Sequence, residues 1–215
     1  MKGNSELLAE HYQKTYELTF ELWKQCNQTF LILIGVIGGA TLLTFSPGKT
    51  EPLLVLWLAK ALGVTDEHKI QQLAIGFPFG LLQSLLLIVI FYLMVNLYHR
   101  SLYVLRNYRY LAQLEHEIRA DLALPPDSIA FTREGGFYWS DRTALQSVEK
   151  WCYIALVGGL LFAFLGGRVH EDFRNRTWLL GCADLVISGA TAIFFLAYAR
   201  SSVTMDTAKT FVRRP

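Results

Sequence analysis

Asp184 is the residue whose surroundings most require a chemical explanation. It lies in WLLGCADLVISGATAIFF, about six residues, or roughly 9 Å at helical rise, from the outer end of an apolar run. A carboxylate at that depth is costly unless it is paired, hydrated or protonated. Arg168, at the outer end of the preceding apolar run, is placed to snorkel toward it. Thr41, near the outer end of the first run, and Gln83 and Ser84, in the middle of the second, complete the candidate polar set. Two readings follow. Asp184 lines a path for ions or protons, or it pins the fourth apolar run to the third through Arg168.

Other chemistry finds little support. The five histidines are scattered without metal-ligand spacing. Gly135-Gly136 reads as a turn and not as a phosphate loop, and no nucleophile stands with a base. Neither a cofactor nor a metal is expected, and the chain reads as a non-enzyme. Cys26, Cys152 and Cys182 are far apart and form no CxxC pair, so they read as packing residues; Cys26 and Cys152, each preceding an apolar run, leave palmitoylation as a remote option. Arg106 and Arg109 are interleaved with Tyr103, Tyr108 and Tyr110, a pattern suited to juxtamembrane anchoring or to anionic headgroups and nucleotides. With Arg133, Phe137 and Trp139 they are the candidate partner contacts. A net charge of +2 gives no case for nucleic acid.

The elements that must position these residues are four apolar runs: Thr29 to Phe45, about Leu73 to Leu97, Trp151 to Gly167, and Trp178 to Ala199. Each has the length a helix needs to cross a bilayer. The chain is 53% hydrophobic and only 18% charged, more apolar than an ordinary soluble domain. The expected fold is therefore an all-α integral membrane protein. Lysine and arginine set its orientation. The N-terminal segment has three, the insertion between runs two and three has seven, and the C-terminal tail has four, against three in each of the other loops. Both termini and the insertion are thus expected in the cytoplasm. Trp23 and Trp151 then fall near the inner interface, and Trp57 and Trp178 near the outer one. No signal peptide is expected, because the first run follows a charged stretch and ends in TFSPGK without a small-x-small site.

Five segments result: 1–28, a cytoplasmic amphipathic helix; 29–98, transmembrane helices one and two with the outer loop; 99–150, a cytoplasmic helix and a small β-hairpin; 151–199, transmembrane helices three and four; 200–215, a cytoplasmic tail. Leu8, Tyr12, Tyr16, Phe20 and Trp23 form one stripe, and Leu111, Leu114, Ile118 and Leu122 another. The two stripes are expected to pack as a cytoplasmic stalk. Glu115 and Arg119 are spaced to pair on another face, and Pro125 and Pro126 end the helix. IAFTREGGFYW reads as the hairpin. PLLVLWLAKALG is too short to span and reads as an interfacial or re-entrant helix, and Pro78 is expected to kink the start of run two. Gly35, Gly39, Gly158, Gly159, Ser188 and Gly189 offer close helix approach, within one subunit or between subunits.

The N-terminal helix HYQKTYELTFELWKQ leading into TFLILIGVIGG resembles that of the small multi-span membrane effectors of bacterial immune systems, of the SLATT type. The resemblance covers about the first half of the chain, and this chain has four apolar runs where such effectors usually have two. It implies a bacterial inner-membrane protein that forms homo-oligomers in the lipid bilayer. It also implies an antiviral role, in which the protein perturbs the membrane or opens an ion channel when a cytosolic protein partner or signalling ligand acts on it.

Overall fold

The computed structural model describes residues 4–45, 47–125, 128–132, 144–175 and 178–207. Six helices occur among them: α1 (Asn4–Phe45), α2 (Pro47–Ala61), α3 (Glu67–Gly76), α4 (Phe79–Asp121), α5 (Ala144–Asn175) and α6 (Trp178–Thr207). Four of them, α1, α4, α5 and α6, are long and apolar enough to cross a membrane. No strand occurs among the described residues.

The burial rhythm explains how the long helices pack. Along α4 the buried positions fall alternately three and four apart: Leu87, Ile90, Met94, Leu97, Ser101 and Val104. The series resumes at Leu111, Glu115 and Ile118. A mean spacing of 3.5 residues keeps one face of a helix against its neighbours, as in coiled coils. In α1 the series includes Thr19, Thr29, Leu33, Ile37, Ala40 and Thr44. Its buried hydroxyls satisfy themselves locally. Thr19, Thr29 and Thr44 donate to the carbonyls of Thr15, Gln25 and Ala40 at 2.7, 2.9 and 3.0 Å. Small polar residues can therefore line the packed face without an external partner.

This rhythm corrects the expected stripes. Tyr12 and Tyr16 are half-buried, but Phe20 and Trp23 are exposed and stack on each other with centroids 6.0 Å apart. A series stepping by four drifts around the helix, and by Phe20 it has left the 3.5-residue face. Leu122 is also exposed, one residue past the end of α4.

The ends of the elements follow local chemistry. Gly63, at φ +71°, closes α2, with Val64 N donating to Ala59 O at 2.8 Å, the Schellman pattern. Asp66 caps α3 by accepting from His68 N at 2.9 Å. The expected kink at Pro78 is instead a full break. Leu73 to Gly76 belong to α3, Phe77 is extended (ψ 122°), and α4 starts at Phe79. The proline ring excludes the helical conformation at the residue before it. At the far end of α4, Ala123 takes the left-handed conformation (φ 48°), and Leu124 N donates to Arg119 O at 3.1 Å. The first arm of the expected β-hairpin is not a strand: Ala130 and Phe131 form a turn, with Phe131 at φ 54°. The rest of it, residues 133–143, lies outside the described residues.

The chain forms two compact units. One comprises Met1–Phe30, Asn96–Ile154 and Phe195–Pro215; the other comprises Leu31–Val95 and Ala155–Phe194. In the first, Tyr12 donates to the buried Glu115 at 3.0 Å, and His11 lies 2.9 Å from the Tyr110 hydroxyl. Arg100 donates to Gln25 O and Thr29 Oγ1 at 3.0 and 2.9 Å. These bonds fix the first half of α1 against the second half of α4. The Arg119 guanidinium holds the chain after α4, donating to Ser128 O and Ala130 O at 2.6 and 2.7 Å.

In the second unit, four of the glycines expected to offer close approach meet no other helix of this chain. A β-carbon at Gly35, Gly39, Gly159 or Gly189 would meet nothing within 4 Å. Gly158 is buried. The close approach is at Gly167, where an added β-carbon would stand 2.7 Å from Thr44 Cγ2. Thr44 cannot turn its methyl away without breaking the bond to Ala40 O. Gly167→Ala is expected to destabilise the protein by about 1–3 kcal/mol through overpacking. Adding Thr44→Ser, which deletes that methyl and keeps the hydroxyl, should restore most of the loss in thermal unfolding. At Ala123, where an L side chain is strained, Ala123→Gly should raise stability by about 0.5–1 kcal/mol in the same assay.

Candidate functional site

Three helices bring their polar residues to one buried cluster in the second unit. On α4, Gln83 and Ser84 belong to the packed face, four and three residues before Leu87. On α5 the buried series Leu161, Phe164, Arg168, Asp172 carries charge at its last two positions. On α6 the packed face is almost wholly polar: Asp184, Ser188 and Thr191 are buried, while Leu185, Val186 and Ile193 are exposed.

Arg168 is the centre, with its side chain 4% exposed. Its Nε and Nη2 both reach Asp184 Oδ2, at 2.9 and 2.7 Å. Nη2 also meets Asp172 Oδ1 at 2.9 Å and donates to Ser84 Oγ at 2.9 Å. Nη1 donates to Gln83 Oε1 at 3.0 Å and lies 4.0 Å from Glu171 Oε2. Ser84 Oγ donates to Asp184 Oδ2 at 2.8 Å. A guanidinium has five N–H bonds, two of them on Nη2, and here Nη2 faces three acceptors. Among the described residues, the second N–H on Nη1 has only Glu171, at 4.0 Å, beyond hydrogen-bond distance.

Burying an ion is offset only when its partners are close and well aligned. Asp184 meets that condition, because one of its oxygens accepts from three donors. Asp172 meets it on one side alone. Its Oδ1 has the guanidinium, whereas its buried Oδ2 has no hydrogen-bond partner. Ser188 Oγ, one turn along α6 from Asp184, is likewise buried without a partner.

Of the candidate polar set, Asp184, Arg168, Gln83 and Ser84 come together. Thr41 does not join them; its hydroxyl donates to Ile37 O in its own helix at 2.7 Å. Asp172 is the member that sequence reasoning missed. The signal was present in RVHED, where Asp172 stands four residues after Arg168 and so shares its face if the helix continues. Ending the apolar run at Gly167 assigned Asp172 to a loop, but α5 runs on to Asn175.

The candidate partner contacts fall elsewhere. Arg106 and Arg109 are exposed on α4 in the first unit. Arg133, Phe137 and Trp139 lie outside the described residues. Among the described residues no three His, Cys, Asp or Glu side chains are grouped to hold a metal ion. Cys26 is half-buried, Cys152 and Cys182 are exposed, and all three are free thiols.

The geometry ranks the cluster's members by what their loss would strand. Arg168→Ala strips two buried carboxyl groups of their shared donor and is expected to cost about 3–5 kcal/mol. Asp184→Asn leaves Arg168 with Asp172, so its cost should be the smaller. Thermal unfolding in detergent, read by circular dichroism, checks the order; equal costs would remove Arg168 from the centre.

Comparison of the chain with family models, with curated proteins and with solved structures finds no match in any of the three.

Proposed function

We propose that the protein is a multi-pass membrane protein that self-associates and acts as a non-enzymatic effector, with α1, α4, α5 and α6 as its spans. The observation that carries this reading is an inversion of the usual order of burial. Val186 and Ile193 are 72% and 67% exposed, while Arg168 and Asp184 on the same bundle are 3% and 2% exposed. In water such a surface would be penalised at about 25 cal/mol for each Å² of apolar area. In hydrocarbon the apolar residues face their own solvent, and ionisable groups turn inward and pair.

The lysine and arginine distribution supports both termini and 99–150 on the cytoplasmic side. Self-association is supported by the outward glycines. Gly35, Gly39, Gly159 and Gly189 have open space where a β-carbon would be, so a helix of another copy can approach closely. Control from the cytoplasm is supported by α1 and α4, each of which runs unbroken between the two units. In this reading a cytosolic protein or small ligand acts on the first unit, and the spans respond by opening a path or disturbing the bilayer. The resemblance to bacterial immune effectors supports the same reading, with the bacterial inner membrane as the proposed location.

A second reading has its own observation. Arg168 is held by side chains of three helices at 2.7–3.0 Å, which suits a fixed pin better than a gate. The protein would then be an accessory subunit that anchors a cytosolic complex. Purified protein in dye-loaded liposomes separates the two. The effector reading expects leak or ion flux that Asp184→Asn alters. Tight vesicles in every state, with and without cytosolic extract, would leave the anchor reading in place.

A further inference from the structure

The cluster's charges do not balance. Arg168 supplies one positive charge, and Asp172 and Asp184 supply two negative ones at 2.9 and 2.7 Å from the same nitrogen. Both carboxyl groups are more than nine-tenths buried. An unpaired charge in such a place costs several kcal/mol, and proteins remove it by neutralising the group. The place for the missing positive charge is marked by an atom: Asp172 Oδ2, buried and without a partner.

We infer that Asp172 holds a proton on its Oδ2 at neutral pH. The proton comes from solvent. One O–H bond forms, the cluster goes from one net negative charge to none, and nothing is oxidised or reduced. The choice of oxygen follows from the donors present. Asp184 Oδ2 already accepts from Arg168 Nε, Arg168 Nη2 and Ser84 Oγ, so it has no room for a proton of its own. Asp172 has one donor on Oδ1 and none on Oδ2. Once protonated, Oδ2 becomes a donor.

Among the described residues, the charged groups around the pair are few. Arg168 and Glu171 come from α5, Glu171 only at 4.0 Å from the guanidinium and 30% exposed, and Asp184 comes from α6. α4 brings the neutral Gln83 and Ser84, and α1 brings Thr44 against Gly167. His170 is exposed. A metal cation in place of the proton would sit beside a guanidinium that already holds one oxygen of each carboxylate. A proton avoids that repulsion by forming a covalent bond. The inference is independent of whether the spans conduct.

The protein reconstituted in lipid tests this directly. Infrared spectroscopy at pH 7 should show a protonated-carboxyl C=O band that shifts in D₂O and disappears in Asp172→Asn. Asparagine has the shape and donor of the protonated acid, so Asp172→Asn should fold with a melting midpoint close to the parent's. The parent's midpoint should fall as pH rises from 5 to 9, because only the folded form holds the proton, while that of Asp172→Asn stays level. Absence of the band at pH 7, or its survival in Asp172→Asn, would overturn the proposal. So would a grossly destabilised Asp172→Asn, which would mean that a carboxylate is required. A band abolished by sodium chloride but not by choline chloride would point to a bound sodium ion and overturn it equally.

Discussion

One guanidinium holds three helices. Arg168 touches side chains of α4, its own α5 and α6, and each contact is short and buried. Hydrophobic packing is tolerant of small rotations, because apolar contacts have no direction. A guanidinium is planar and its donors are fixed in a fork. The helix rotations that serve Arg168 therefore decide which apolar residues remain for the outside, and the exposed Leu185, Val186 and Ile193 of α6 follow from Asp184 facing inward.

Away from that cluster the bundle relies on spacing. α4 keeps a 3.5-residue burial rhythm for about nine turns, through apolar Leu87 and Ile90, polar Ser101 and charged Glu115 alike. Residue type varies along that face while position does not. Polar members of the packed faces are satisfied by short local or cross-helix bonds: Thr19 of α1 to its own helix, Glu115 of α4 by Tyr12 of α1. Glycine has a different role from the one its frequency suggests. Gly167 is where two helices come into contact, whereas the GVIGG glycines Gly35 and Gly39 face open space.

The long helices were legible because their signals are long. Four apolar runs, the unbroken helix before Thr29 and the helical stretch after His99 all depend on composition summed over many residues. What failed depended on short-range choices. Whether Pro78 kinks or breaks a helix turns on one residue's conformation, and Phe77 went extended. The helix α3 was hidden because its apolar residues, Ile70, Leu73 and Ile75, read as the start of the next run. The stripe through Phe20 and Trp23 failed because a period of four and a period of 3.5 agree for only two turns. Of the polar cluster, four of the expected residues meet, yet Asp172 was invisible once the run was ended at the glycines before Arg168. Hydropathy marks where a helix turns polar and not where it stops.

The order of these residues along the chain has a consequence for biogenesis. Gln83 and Ser84 are made first, then Arg168 and Asp172, and Asp184 last. When α5 is complete, its arginine can already find the amide and hydroxyl of α4 and its own aspartate one turn on. The nascent bundle thus presents a prepared cationic socket to a helix still emerging from the ribosome. α6 carries Asp184, Ser188 and Thr191 along one side, and it is the helix that arrives when its counter-ion is waiting.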